Sequence, residues 1–480
     1  MDSITMTAEQ QLPEGWEKTT LGEISIVKMG QSPNGKSYNK EKEGYLLIGG
    51  ASDLGNIYPS PKQYTNEATK LSKTNDIIIC IRATIGRLNL SDKVYCLGRG
   101  VAGIEVNANV EAKFIWYSLM NSEAYLLKNS TGTTFQQVSS PTLKKLPIVY
   151  PTSKETQQAI VNKIESLFGE IDEGIGRLKT AAQQIQQYRQ SLLKNAFNGE
   201  LTKEWRSKHA DTLPSENELL TQIQTIREQH HAQQLADWQT AVSQWEQNGK
   251  EGKKPSKPSS LSRVNILSKD SELPENWLLT EAESICDFIT KGTTPPKNEL
   301  FMKSGEVPFL KVYNLTKNGK LDFTIEPTFV SKETHNNFLN RSKVYPNDIL
   351  MNIVGPPLGK VSLVPDDYPE WNINQAIVIY RSIFVHSKFL ANYLLAEKTI
   401  KLMSSQAKTT AGQHNLTLEI CRNLPIPVCS LAEQTQIVAI LESKLTACDQ
   451  LAAELAKQLK QAELLKQAVL KAAFSGELRE

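Results

Sequence analysis

Ala196-Phe197-Asn198-Gly199-Glu200-Leu201 closes a long Gln-rich stretch, and 277 residues later Ala473-Phe474-Ser475-Gly476-Glu477-Leu478 closes another. Upstream the match continues. Glu165-Ser166 and Asp172 recur as Glu442-Ser443 and Asp449 at the same offset, and Leu146-Pro147-Ile148 recurs as Leu424-Pro425-Ile426. Near the start, Leu12-Pro13-Glu14-Gly15-Trp16 is answered by Leu273-Pro274-Glu275-Asn276-Trp277. Separated blocks repeating in one order mark a tandem duplication of about half the chain.

The stretch before each closing block predicts a helix. Ile160, Ile164, Leu167, Ile171, Leu178, Ala181, Ile185, Tyr188 and Leu192 step by threes, fours and one seven. Leu441, Leu445, Cys448, Ala452, Leu455, Leu459 and Ala462 do the same. That spacing makes a narrow apolar seam suited to a coiled coil. Gly199 and Gly476 are natural helix stops, and Gly174 with Gly176 predicts a local bend in the first helix only.

Ahead of each helix lies a mixed α/β segment. Asn75-Asp76-Ile77 followed by Gly86-Arg87 is echoed by Asn347-Asp348-Ile349 followed by Gly359-Lys360, each read as a turn feeding a strand. Helical patterns fall near 111–128 and 387–403. The expected organisation is a mixed α/β domain at 11–150, a helix at 151–201, an insertion at 202–270, a second such domain at 271–428 and a closing helix at 429–480. The fold class is therefore α+β, an internal repeat of two mixed α/β domains separated by long helices. The insertion carries a helical pattern with Trp205, Trp238 and Trp245 and ends in a Pro/Lys linker. Its tryptophans could dock a partner or staple the arm to its own chain.

Composition narrows the class. The chain has 480 residues, 54 Lys+Arg against 52 Asp+Glu, and 39% hydrophobic residues, which describes a globular protein without a grossly basic coat. Its apolar runs fall far short of the roughly 20 residues a bilayer needs. Six scattered Cys form no CxxC pair and no disulfide framework, and a cytoplasmic protein is expected.

Gly30-Gln31-Ser32-Pro33-Asn34-Gly35-Lys36-Ser37 matches the phosphate-binding pattern GxxxxGK[ST]. The aligned loop of the second half reads Gly292-Thr293-Thr294-Pro295-Pro296-Lys297, so the duplicated feature is Gly-x-[Ser/Thr]-Pro and the Gly-Lys-Ser is incidental. No zinc spacing, GxSxG elbow or methyl-donor fingerprint accompanies it. The sequence argues against a catalytic chain and against a resident cofactor or metal.

Polar loops at matching places in both halves carry side chains of the kind that read bases. In the first half the candidates are Gln31, Ser32, Asn34 and Lys36, then Arg82, Arg87 and Arg99, then Thr133 and Gln136. In the second they are Thr293, Thr294 and Lys297, then Lys311, Asn314, Asn352 and Lys360, then Asn374, Gln375, Thr409, Gln413 and His414. Arg and Lys suit guanine edges, Asn and Gln suit adenine, and Thr can meet the thymine methyl.

The doubled set of a Leu-Pro-x-x-Trp opening, Gly-x-[Ser/Thr]-Pro loop, Leu-Pro-Ile exit and heptad helix ending in Phe-x-Gly-Glu-Leu resembles the specificity subunit of type I restriction–modification systems. The resemblance spans nearly the whole chain. It implies two target-recognition domains, with the helices pairing as an antiparallel coiled coil between them. It also implies a bipartite double-stranded DNA target, two modification (methyltransferase) subunits carrying S-adenosylmethionine, and restriction subunits carrying ATP and magnesium. A coiled-coil adaptor that reads no DNA is the alternative the residues alone leave open.

Overall fold

The computed structural model describes residues 12–132, 136–269, 272–355, 357–410 and 413–478. It divides into two compact units, Met1–Ala181 with Glu454–Glu480, and Ala182–Ala453. Two helices of equal length, Lys154–Phe197 and Leu431–Phe474, each contribute a segment to each unit. The first runs unbroken through Gly174 and Gly176, so the expected bend is not a break in the helix. Both glycines lie in open space, where no neighbour forces the axis to deviate.

In the first unit, Trp16–Thr20 pairs antiparallel with Pro147–Pro151. A four-stranded sheet follows in the order Ser25–Met29, Val101–Val106, Ile77–Cys80, Leu88–Leu90. A smaller sheet holds Tyr38–Asn39, Tyr64–Thr65, Tyr45–Ile48 and Cys96–Leu97. Ile77 to Cys80 are fully buried on both faces of their sheet, which explains why that run reads as continuous apolar sequence.

The second unit repeats the plan. Leu278–Glu281 pairs with Pro425–Val428, and the main sheet runs Cys286–Lys291, Ile377–Ser382, Ile349–Asn352, Val361–Leu363. The smaller sheet holds Phe301–Met302, Thr328–Val330, Val307–Leu310 and Asn372–Ile373. Asn75 and Asn347 have φ of 69° and 70°, the left-handed turn expected before each buried strand.

Each unit closes over one helix end. In the first, Phe114 meets Phe474 edge-to-face at 5.1 Å; in the second, Phe389 meets Phe197 at the same distance. Gln157 accepts from the Glu111 amide and Gln434 from the His386 amide, 2.7 and 2.8 Å. Lys113 pairs with Glu165, and Lys388 with Glu442. The Glu of each repeated Glu-Ser therefore anchors its helix to the domain that precedes it.

Helix-to-helix ion pairs obey the same repeat. In the second unit Arg189 binds Asp449 at 2.6 Å, and in the first Lys466 binds Asp172. These are one pair seen twice, since 172 and 449 are 277 apart, as are 189 and 466. As the number on one helix rises from 172 to 189, its partner falls from 466 to 449, so the helices run antiparallel. The seam is narrow and mostly half-buried, and Tyr188 leaves it with 49% of its surface exposed.

The insertion forms the helix Glu216–Gln247, started by a capping box between Ser215 and Glu218. Leu219 and Ile223 are buried in the second domain's core, and Arg227 donates to the Ser284 and Ser262 carbonyls. Farther along, the Pro/Lys linker folds back on the helix. Trp238 donates to the Pro255 carbonyl at 3.1 Å and Trp245 to that of Gly252 at 3.3 Å, with Lys257 and Lys254 over the respective rings. Trp205 stacks on His209. These tryptophans staple the arm to its own chain.

One lock has no counterpart in the first repeat. Glu433 is fully buried and accepts from Trp277 Nε1 at 3.0 Å, Thr202 at 2.7 Å and Arg206 at 2.6 Å. Thr156 stands at the equivalent first-repeat position, 277 residues earlier. Removing one partner of a buried ion pair costs about 3–5 kcal/mol. Glu433→Ala should therefore lower stability in urea by about that much, and Glu433→Gln, which keeps an acceptor for Trp277, by less.

Candidate nucleic-acid interface

Gly30 ends a strand by pressing its backbone into the sheet. A Cβ there would stand 2.1 Å from the Gly98 carbonyl oxygen and 2.6 Å from that of Val101, so only glycine fits. Gly292 is the same point in the second domain, with the Ile373 and Asn374 carbonyls 2.2 and 2.3 Å from its would-be Cβ. The next residue continues the match: the Gln31 amide donates to Leu97 and the Thr293 amide to Ile373. Gly-x-[Ser/Thr]-Pro is thus a backbone corner. The phosphate-loop reading finds no support here, because Lys36 and Ser37 enter the 3₁₀ turn Gly35–Ser37 and then the short strand Tyr38–Asn39. Ser37 is buried, sharing a hydrogen bond with Thr65 at 2.8 Å.

Around this corner three more segments are tied in the same way in both domains. Ile81 donates to the Gly100 carbonyl and Val138 donates to that of Ile81; Ile353 donates to Ala376 and Leu416 to Ile353. Arg82 bridges Gln137 as Val354 bridges Asn415. The Arg99 amide donates to the Ser32 hydroxyl at 3.3 Å, while Thr294 donates its hydroxyl to the Gln375 side chain. The structure therefore gathers Gln31, Ser32, Arg82, Arg99 and Gln136 at one end of the first domain's main sheet. At the equivalent end of the second domain it gathers Thr293, Thr294, Asn374, Gln375 and His414. Arg82, Arg99, Gln31, Gln136, Thr294 and Gln375 are exposed.

Other expected readers sit elsewhere or are spent internally. Arg87 accepts from the Cys80 amide across its hairpin, and its guanidinium is spent on the Leu54 carbonyl at 2.8 Å. Asn34 caps the 3₁₀ turn by accepting from the Lys36 amide, and Lys36 and Lys297 are exposed outside the corner. Lys360 donates to the Val312 carbonyl, and the Lys311 ammonium lies over the Tyr313 ring. Asn314 and Asn352 are each 1% exposed. Asn314 donates to the Asp322 and Ile325 carbonyls; Asn352 donates to that of Pro357 and accepts from the Lys360 amide. Their amides brace loops and present no free edge to a base, a correction to the expectation from residue type alone. Thr133 lies outside the described residues. Thr409 and Gln413 are placed in the hairpin Lys408–Thr410 with Gln413–Asn415, but their side chains lie outside the described set.

Sequence reasoning missed Arg341. It is exposed, and its Nε and Nη2 donate to the Thr293 hydroxyl at 3.2 and 3.0 Å. The signal that could have found it was the repeat offset: Arg341 stands 272 residues after Thr69, as Asn347 does after Asn75. Thr69 likewise reaches the corner, donating to the Gln31 carbonyl at 2.6 Å.

Comparison with known proteins agrees with this doubled architecture. The family model described as the type I restriction modification DNA specificity domain matches residues 13–178 and again 274–461. The EcoBI specificity subunit of Escherichia coli is 22% identical over 475 residues, covering 97% of this chain and 86% of that protein. A putative MjaX specificity subunit of Methanocaldococcus jannaschii is 33% identical over 194 residues. That alignment covers 40% of this chain and 44% of the archaeal protein, so it spans less than half the length of that relative. A solved chain from work on complex assembly and conformational transition of the type I R-M system has a TM-score of 0.64 at 17% identity. It covers 98% of this chain and 100% of its own, a likeness of fold. Matched twice over most of its length, the chain belongs to the type I restriction–modification DNA specificity family.

Proposed function

We propose that the chain reads a split, asymmetric double-stranded DNA target, one half per domain, and delivers it to methyltransferase subunits docked along its long helices. The observation that carries this is the corner built twice. Equivalent backbone hydrogen bonds hold Gln31 in one domain and Thr293 in the other, and beside them the Arg99 amide meets the Ser32 hydroxyl while the Thr294 hydroxyl meets the Gln375 side chain. A frame held constant while its exposed side chains differ suits one reading geometry applied to two different base sequences. A symmetric homodimer, by contrast, would read two identical half-sites.

On this reading the chain supplies recognition and leaves chemistry to its partners. S-adenosylmethionine would sit on two modification subunits, and ATP with magnesium on restriction subunits. The near balance of 54 basic and 52 acidic residues fits a protein that shares phosphate neutralisation with partners. Antiparallel helices set the distance between half-sites, at about 1.5 Å per residue.

Three measurements test the proposal. Mapping methylated sites in cells carrying this system should return a split motif with an unread spacer. Replacing residues 11–150 with a different recognition domain should change one half of that motif and leave the other intact; changes in both halves would contradict one-domain-one-half reading. Deleting seven residues from each helix, a heptad of about 10 Å, should alter the accepted spacer while preserving both halves.

A further inference from the structure

We propose that Arg341 is a base-reading residue of the second domain, addressing a guanine, and that Thr293 acts through it by fixing its orientation. This rests on the DNA-reading function above and names one of its determinants.

The argument begins with position. Thr69 and Arg341 occupy equivalent places, and each sends a side-chain donor to the residue that follows the corner glycine. In the first domain that donor is a short hydroxyl, buttressing the Gln31 carbonyl. In the second it is a guanidinium with far more reach than the buttress requires. The first domain instead brings its cations to the corner on Arg82 and Arg99.

Geometry then restricts what Arg341 can do. Thr293 Oγ1 takes both Nε and Nη2, which engages one edge of the planar group. The end-on fork of Nη1 and Nη2 keeps donors directed away from that hydroxyl. A fork matches guanine O6 and N7 in a bidentate pair. Among the described residues no carboxylate lies within ion-pair distance of Arg341, whereas Arg189, Arg206 and Arg381 each hold one. Thr293 Oγ1, which accepts from it, is neutral, so among the described residues the positive charge is not matched by an acid.

The turn that carries Arg341 is anchored in the domain interior. Asn340–Ser342 is a 3₁₀ turn, and Ser342 is fully buried. The Ser342 hydroxyl donates to Asn372 Oδ1 at 2.9 Å, and Asn372 Nδ2 donates to His335 Nδ1 at 2.8 Å. With its backbone locked and its side chain held on one edge, Arg341 loses little conformational freedom on contact. A phosphate contact needs charge at roughly the right place; a base contact needs this fixed plane.

The test uses the full chain assembled with its own modification subunits and a randomised duplex pool, with binding and methylation read out by sequencing. Arg341→Ala should relax preference at one guanine-containing pair of the second half-site by roughly 5- to 150-fold. The first half-site, read by the same molecules, should be unchanged and serves as the folding control. Thr293→Val, which keeps the branched shape but removes the acceptor, should relax the same position to a smaller degree. Uniform weakening across all sequences with a shallower salt dependence would make Arg341 a phosphate contact and overturn the proposal. An unchanged motif would overturn it as well, leaving the DNA-reading function intact. Absence of any split motif with the wild-type chain would overturn both.

Discussion

The architecture hangs on a contact between a glycine and a proline, made once in each unit. Gly199 and Gly476 end the two long helices at φ of 82° and 76°, a conformation that favours glycine. Against them sit Pro274 and Pro13, whose Cγ atoms would lie 2.4 and 2.3 Å from any added Cβ. The Leu-Pro opening of each domain thus seats on the helix end that belongs to the other repeat. Neither repeat completes itself. This is why the Leu-Pro-x-x-Trp and Phe-x-Gly-Glu-Leu blocks, far apart in the chain, are preserved together in both copies.

From that closure the helices acquire their direction and register. Phe114 on Phe474 and Phe389 on Phe197 fix which helix end each domain holds. The ion pairs Arg189–Asp449 and Lys466–Asp172 then fall at equivalent points of an antiparallel seam. Departures from symmetry concentrate where the insertion enters. There Thr202 and Arg206 converge with Trp277 on buried Glu433, a carboxylate whose desolvation is tolerable only because three donors meet it. The inserted arm is integrated with the second domain by burial at its root and by its linker folding back along the helix.

Recognition depends on a different constraint, the corner glycine. Because the backbone of Gly30 or Gly292 touches neighbouring carbonyls, four segments from across each domain are brought to one place by main-chain hydrogen bonds. Side chains at that place are then free to vary without disturbing the frame. Gln31 with Arg99, and Thr293 with Gln375 and Arg341, are two outcomes on one scaffold. Asn314 and Asn352 show the converse: polar residues a few positions away are consumed in holding loops.

Much of this was legible from residues alone. Block repeats exposed the duplication, heptad spacing the helices, and comparison of the two halves showed that Gly-Lys-Ser was incidental to its loop. Periodicity and repetition survive in one dimension because they report local backbone conformation and the face a residue presents. The polar candidates were less well resolved. Residue type could not separate exposed Arg99 from buried Asn352, since burial depends on strands paired across tens of residues. Arg341 carried no motif; the repeat offset aligns it with Thr69, but only the fold sets it beside Thr293, 48 residues away. The sequence by itself determined that there are two alike domains and two long helices. Only the tertiary structure decided which side chains share a surface, because that is settled by non-local pairing and close backbone approach, and neither leaves a periodic trace in the chain.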